Sequence, residues 1–231
     1  MSYRAILFDV GGPLDMEFAH EMAVDSAIAS ACGMEGIRVD QAMIDAASDR
    51  AVAAFAPDAY AHMVEDLCGG DPRTVERVDR RRRAMVGELD VFQLRPEIDG
   101  LLGRLGGRGL KLGIVANQPA RAVERLERAG IAQFFEHHGL SGSTGLNKPD
   151  PRAFLDAAQA LGVVPAACIM VGDRIDNDIV PAKALGMAAI RFRTGRHRRQ
   201  QPRSAGETPD ADVTDVAELE EAIMRCLDRP G

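Results

Sequence analysis

Ala5-Ile6-Leu7-Phe8-Asp9-Val10-Gly11-Gly12-Pro13 is the stretch on which the fold turns. An uninterrupted apolar run ends on a carboxylate and passes at once into two glycines and a proline. A short run of this kind reads as a strand buried on both faces, as the strands of a parallel sheet are. In open α/β sheets, ligands bind beyond the carboxyl ends of such strands. The segment therefore delivers Asp9 to the edge where chemistry takes place, and Asp9 reads as a nucleophile. An Asp there also serves as a turn former or helix N-cap, so the downstream sequence decides between the two.

Downstream the character changes. Residues 16–94 are rich in Ala, Met, Asp, Glu and Arg and poor in β-branched runs. Met43, Ala46, Ala47, Ala51, Ala54 and Phe55 recur at helical spacing, as do Met63, Val64 and Leu67. The pattern predicts a helical insert that ends at Leu94-Arg95-Pro96. An amphipathic helix follows through Ile98, Leu101, Leu102 and Leu105, closed by Gly106, Gly107 and Gly109. Strands at 110–116, 168–171 and 188–192 then alternate with helices at 120–129, 151–161, 179–185 and 217–227. Repeated strand–helix units require a parallel sheet with right-handed crossovers. The expected fold is α/β: a doubly wound, Rossmann-like core from residues 1–15 and 95–231, interrupted by an all-helical cap domain at 16–94.

With 231 residues the chain is long enough for such a core and a second small domain. An apolar content of 46% against 27% charged residues excludes a disordered chain. No stretch reaches the roughly 18 apolar residues of a membrane span, and Met1–Asp9 is too short for a secretory leader, so a cytoplasmic protein without a membrane partner is expected. The net charge of −7 argues against a nucleic-acid partner. One basic stretch stands out: Arg191, Arg193, Arg196, Arg198, Arg199 and Arg203 crowd together with Gly195, Pro202 and Gly206. It reads as a mobile basic loop, either merely solvated or able to meet an anionic substrate. Cys32, Cys68, Cys168 and Cys226 are widely spaced without a CxxC pair, which suggests neither a zinc site nor a disulfide framework and predicts reduced, buried thiols.

The strand ends carry the chemistry. Asp9 follows the first strand and Asn117 follows 110–116. Lys148 sits in Gly145-Leu146-Asn147-Lys148-Pro149-Asp150-Pro151, and Asp173 and Asp178 lie within 171–178. Lys148 is one of only three lysines among 28 basic residues, so a compact ammonium before Pro149 looks selected. Taken in order, these segments resemble the four motifs of the haloacid dehalogenase superfamily, of the kind with a helical cap inserted after the first motif. Motif one resembles Asp9–Leu14, motif two Ile114–Asn117, motif three Lys148 with Pro149, and motif four Gly172–Asp178. The resemblance covers essentially the whole chain.

It implies a hydrolase, most often a phosphatase of a small phosphorylated metabolite, in which Asp9 attacks phosphorus to give an aspartyl phosphate. It also implies Mg²⁺, a hard cation taking oxygen ligands, held by Asp9, the backbone carbonyl of Gly11 and Asp173, with Asp178 binding directly or through a water. Lys148 would set a positive charge against Asp9 and the transferring oxygens, and Asn117 would close the second motif as a further catalytic residue.

Departures from the pattern are equally informative. Phosphatases of the superfamily usually carry a second Asp, the general acid and base, where this chain has Gly11. Ala116 stands where a Ser or Thr hydroxyl usually holds a phosphoryl oxygen, and Pro13 where Thr or Val is common. Losing a positioned acid costs about 10² to 10⁴ in rate, and losing an oxyanion donor costs about 3 kcal/mol. The expectation is a slower or narrower phosphatase, suited to sugar-1-phosphates, acyl phosphates or aryl phosphates, whose leaving groups need little protonation. Two alternatives stand beside it: a 2-haloacid dehalogenase, which needs neither metal nor the second Asp, and a catalytically silent homologue that binds a phosphorylated ligand. A phosphonate-cleaving relative is excluded, because the insert contains no lysine for a Schiff base. His20, Arg50, Tyr60 and His62 of the insert are able to reach a ligand or to be ordinary surface residues.

Overall fold

The computed structural model describes residues 2–87, 89 and 91–228. In chain order it contains β1 (Ala5–Phe8), α1 (Phe18–Gly33), α2 (Gln41–Ala53), α3 (Ala59–Leu67), α4 (Pro72–Val86), α5 (Ile98–Gly107), β2 (Lys111–Ala116) and α6 (Ala122–Arg128). These are followed by β3 (His137–Leu140), α7 (Ser141–Thr144), α8 (Pro151–Ala160), β4 (Cys168–Gly172), a π-turn at Ile175–Ile179, α9 (Val180–Ala184), β5 (Ala188–Phe192), β6 (Ala211–Val213) and α10 (Val216–Leu227). By contacts the chain divides into two compact units. The first comprises residues 1–16, 94–194 and 202–231, the second 17–93 and 195–201.

The first unit is an α/β core. Its six strands lie in the order β3-β2-β1-β4-β5-β6, and every pairing is parallel. β1, β4 and β5 are buried along their whole length, which is why β1 and β4 are continuous apolar runs instead of alternating ones, and β5 is apolar except at Arg191. The strand order reverses between β1 and β4, and a doubly wound sheet binds its ligand at that reversal. Asp9 leaves β1 and Asp173 leaves β4, so the two carboxylates flank the switch point. Behind them Leu7, Val115, Phe154, Met170 and Ala189 pack into one apolar cluster.

The second unit is helical. Val24, Ile28, Ile44, Ala47, Met63, Val64 and Val78 form its own core. Asp40, Asp58 and Asp71 each cap a helix, their side chains accepting from the N–H groups of Met43, Ala61 and Thr74; such caps contribute about 1 kcal/mol each.

The structure amends several expectations. β3 and β6 were not foreseen, because His137-His138-Gly139-Leu140 and Ala211-Asp212-Val213 carry no apolar run. The helix expected at 179–185 is shorter and is preceded by the π-turn. Phe55 lies past the end of α2 in the left-handed region at φ 54°. The basic stretch is not a single solvated loop. Arg191 belongs to β5 and its side chain is 1% exposed. Arg196 enters the helical unit, donating from Nη2 to Asp25 at 2.7 Å and from its backbone N–H to Glu21 at 2.5 Å, with its guanidinium 5.0 Å from the Tyr60 ring centroid. Arg199 pairs with Asp49, and Arg203 with Glu207. Burial pushes the Glu21 and Asp25 carboxyls above their ordinary range, with Arg196 pulling the other way. All four cysteines are free, and Cys68 is only half-buried. No helix among the described residues is long and apolar enough to cross a membrane.

Candidate active site

The site grows from the strand ends. The backbone N–H of Asp9 donates to Val171 O at 2.9 Å, continuing the pairing of β1 with β4 one residue beyond the strand. Its carboxylate then turns out of the sheet: Oδ1 accepts from the Val10 N–H at 2.7 Å, and Oδ2 lies 2.8 Å from Lys148 Nζ. The same ammonium donates to Asp178 Oδ1 at 2.6 Å. Asp178 is fully buried, and its other oxygen accepts from the Arg174 N–H at 2.9 Å. The π-turn makes this possible, since it returns Asp178 under the backbone that leaves β4. Gly172 is required there, because a Cβ at that position would lie 2.5 Å from Asp178 Cβ and from its Oδ2.

Asp173, 4% exposed, completes the group: one carboxylate oxygen from each of Asp9, Asp173 and Asp178 lies within 4.8 Å of the others. Three carboxylates at this spacing face one ammonium, which offsets a single negative charge. The donor set is all oxygen and in excess of negative charge, and so suits a hard divalent cation. The residues present therefore fit a metal of that class.

Electrostatics follow from this crowding. Burial raises the Asp9 carboxyl to about 6; Lys148 opposes the shift and the charge of Asp178 adds to it. Burial works against the charged form of Lys148, but Asp178 and Asp9 outweigh it and hold the ammonium above its ordinary range. Lys148 is thus a permanent cation, and Asp9 a carboxylate whose charge depends on what neutralises it.

Asn117 does not face this group directly. Its carboxamide clasps the Lys148 backbone, Oδ1 accepting from the N–H at 2.8 Å and Nδ2 donating to the carbonyl at 2.9 Å. It joins the end of β2 to the lysine loop, whose Lys148–Pro149 peptide is cis. Gly11 and Ala116 are both buried and bring no functional side chain.

Two arginines that the sequence reading did not assign to the site support it from the backbone side. Arg95 donates from Nε and Nη2 to the Gly12 carbonyl at 2.9 and 2.5 Å. Arg191 donates from Nε to the Asp173 carbonyl at 3.3 Å. Nothing in the sequence marks either, apart from Arg191 being a charged residue inside a buried strand.

Comparison with known proteins agrees with this architecture. The chain is 36% identical over 129 residues to a glyceraldehyde 3-phosphate phosphatase of Methanopyrus kandleri, covering 55% of each chain. It is 34% identical over 152 residues to a phosphoserine phosphatase of Thermus thermophilus, covering 65% of this chain and 58% of the relative. The chain thus spans little more than half the length of these curated relatives. In three dimensions it matches a structure from Haemophilus somnus described as a predicted phosphoglycolate phosphatase, with a TM-score of 0.74 at 21% identity, covering 96% of this chain and 99% of the other. That likeness establishes the fold. The sequence model for haloacid dehalogenase-like hydrolases matches residues 3–186, from before the first strand to beyond the π-turn, and the chain belongs to that family.

Proposed function

We propose that this protein is a Mg²⁺-dependent phosphatase of small phosphorylated metabolites that works through an aspartyl phosphate on Asp9. The observation carrying the proposal is the pairing of a strand-end carboxylate with a buried ammonium at 2.8 Å, beside two further carboxylates within 4.8 Å. Both curated relatives are named for phosphatase activity on small phosphomonoesters; we carry over that substrate class and neither compound.

Mg²⁺ would be held by Asp9, the Gly11 carbonyl, Asp173 and Asp178, and when bound it would neutralise the phosphoryl oxygens so that an anionic nucleophile can approach. An Asp9 oxygen attacks phosphorus, the ester oxygen leaves with its electron pair, and water then hydrolyses the aspartyl phosphate. Lys148 holds Asp9 in its ionised form and faces the transferring oxygens. Asn117 fixes the lysine by its backbone. With Gly11 in place of an acid, the leaving oxygen departs without help from that position. We assign substrate selection to the helical unit. The free cysteines suit a reducing compartment, and we place the protein in the cytoplasm.

The test is phosphate release from a panel of phosphomonoesters with Mg²⁺ and with chelator, for the wild type and Asp9→Asn. Mg²⁺-dependent turnover abolished by the substitution is expected. Stabilisation by phosphate and Mg²⁺ without turnover of any ester would replace the proposal with a silent ligand-binding homologue. Metal-free halide release from chloroacetate would replace it with a dehalogenase.

A further inference from the structure

The nucleophile is carried by the least constrained backbone a chain can offer. Gly11 and Gly12 have no side chains to anchor, and glycine loses more conformational freedom on ordering than any other residue. Asp9 is tied to β4 by its own N–H, and the Val10 carbonyl accepts from the N–H groups of Leu14 and Asp15, so it is the Gly11-Gly12 end of the loop that something else must hold in register with the carboxylates opposite.

Arg95 makes the contacts that do so. Two arms of its guanidinium converge on the Gly12 carbonyl, and Nη2 also donates to Thr194 Oγ1 at 3.0 Å. The guanidinium lies over Phe192, 4.4 Å from the ring centroid. Its own backbone N–H donates to Leu14 O at 2.8 Å, so side chain and main chain grip the same loop. Gly12 itself is wedged: at φ 83°, a Cβ there would lie 2.9 Å from Asp173 Cβ and 3.0 Å from Thr194 Cγ2. The loops after β1, β4 and β5 therefore meet at Gly12, and Arg95 closes the junction.

We propose that Arg95 is a positioning residue of the active site, fixing the Gly12 carbonyl and through it the Gly11 peptide and the Asp9 carboxylate. The inference rests on the phosphatase reading and adds to it a group that acts through the backbone. A lysine cannot substitute, since the role uses a planar fork with two arms on one carbonyl, a third contact and a stacked face.

The experiment compares Arg95→Ala, Arg95→Lys and a control, Arg104→Ala, which removes an exposed ion pair with Glu220 in the same unit. Phosphate release, Mg²⁺ dependence and thermal unfolding are measured on the full chain. A misplaced reacting group costs about 10² in rate, and loss of a group supporting metal ligands costs about 10- to 100-fold in metal affinity or activity. Arg95→Ala is expected to lower kcat about 100-fold with KM within about threefold, and to raise the Mg²⁺ concentration for half-activation about tenfold. Arg95→Lys should recover the melting temperature but little of kcat, and millimolar guanidinium should rescue Arg95→Ala in part; Arg104→Ala should match the wild type.

Variants at Arg95 that keep wild-type kcat and Mg²⁺ dependence overturn the proposal, as does a kcat that recovers in step with stability in Arg95→Lys. If Arg95→Ala does not fold, Arg95→Lys and Thr194→Val carry the same readouts. An inactive wild type would instead sink the phosphatase reading. Mg²⁺ titration by thermal shift would then decide on Arg95, with unchanged Mg²⁺ affinity in the variant refuting its role.

Discussion

Replacing Gly172 by Ala should disable the site with a single methyl group. The added carbon would sit 2.5 Å from Asp178 Cβ and Oδ2, where ordinary contact begins at 3.4 Å. Asp178 therefore has to retreat by about 1 Å, and it has nowhere to go: it is fully buried, 2.6 Å from Lys148 Nζ and 2.9 Å from the Arg174 N–H. A shift of that size carries the ion pair beyond hydrogen-bonding distance. Overpacking costs about 1–3 kcal/mol, and breaking a buried pair costs about 3–5 kcal/mol. Part of each is one and the same displacement, so a loss of about 3 kcal/mol is expected. In a chain of this size that is a fall of roughly 6–12 °C in melting temperature. The rate should drop about 100-fold, the cost of a 1 Å misplacement, and Mg²⁺ should lose most of its stabilising effect. Thermal unfolding with and without Mg²⁺, beside phosphate release, reads all of these. The same substitution in an Asp178→Gly background should cost about 2 kcal/mol less, because the atoms it strikes are gone. A Gly172→Ala protein with kcat within threefold of wild type and an unchanged Mg²⁺ response would refute the reasoning, as would a mutant cycle without coupling.

Lys148→Met should leave Asp9 and Asp178 facing each other without their shared cation, destabilising the metal-free protein by about 3–5 kcal/mol; calorimetry should show partial recovery on adding Mg²⁺ or lowering the pH. The Asp9 carboxyl, raised from 3.8 to about 6, makes the metal-free fold bind an extra proton in that window. This contribution to stability is fully present below 3.8 and is lost as pH rises through 6, leaving ionised Asp9 at a cost of about 3 kcal/mol. Protons and Mg²⁺ compete for the same oxygen, so the Mg²⁺-induced rise in melting temperature should grow between pH 5 and pH 7.5, and a flat profile would contradict the electrostatics. Aryl and acyl phosphates should turn over about 10²- to 10⁴-fold faster than alkyl phosphates, the worth of the acid that Gly11 cannot supply; equal rates would show that another group protonates the leaving oxygen.

The parts of the site that were legible in the sequence share a physical cause. Asp9 and Asp173 follow uninterrupted apolar strands, Asp178 closes the polar run after the second of them, and Lys148 is one of only three lysines in a chain rich in arginine. Local composition therefore announced them. β3 and β6 escaped because short strands at or near the edges of the sheet have no periodicity to detect. Arg95 and Arg191 escaped because they act on backbone carbonyls, Arg95 reaching Gly12 across 83 positions, and backbone contacts leave no signature in residue type. Asn117 was placed correctly at a strand end, yet its two hydrogen bonds to the Lys148 backbone could be seen only in three dimensions. The arginine-rich stretch is the opposite case: its composition suggests one loop, whereas its members are divided among a buried strand, the helical unit and the connecting segments of the α/β core.

That sharing bears on how the helical unit could be exchanged between proteins. The seven residues of 195–201 belong to it although they arrive from the far side of β5. A chimera that grafts only 17–93 would strip Glu21, Asp25 and Tyr60 of the arginine they surround. The donor must therefore contribute two fragments joined at four cut points, and any recombination that respects only the obvious boundary starts from a broken interior.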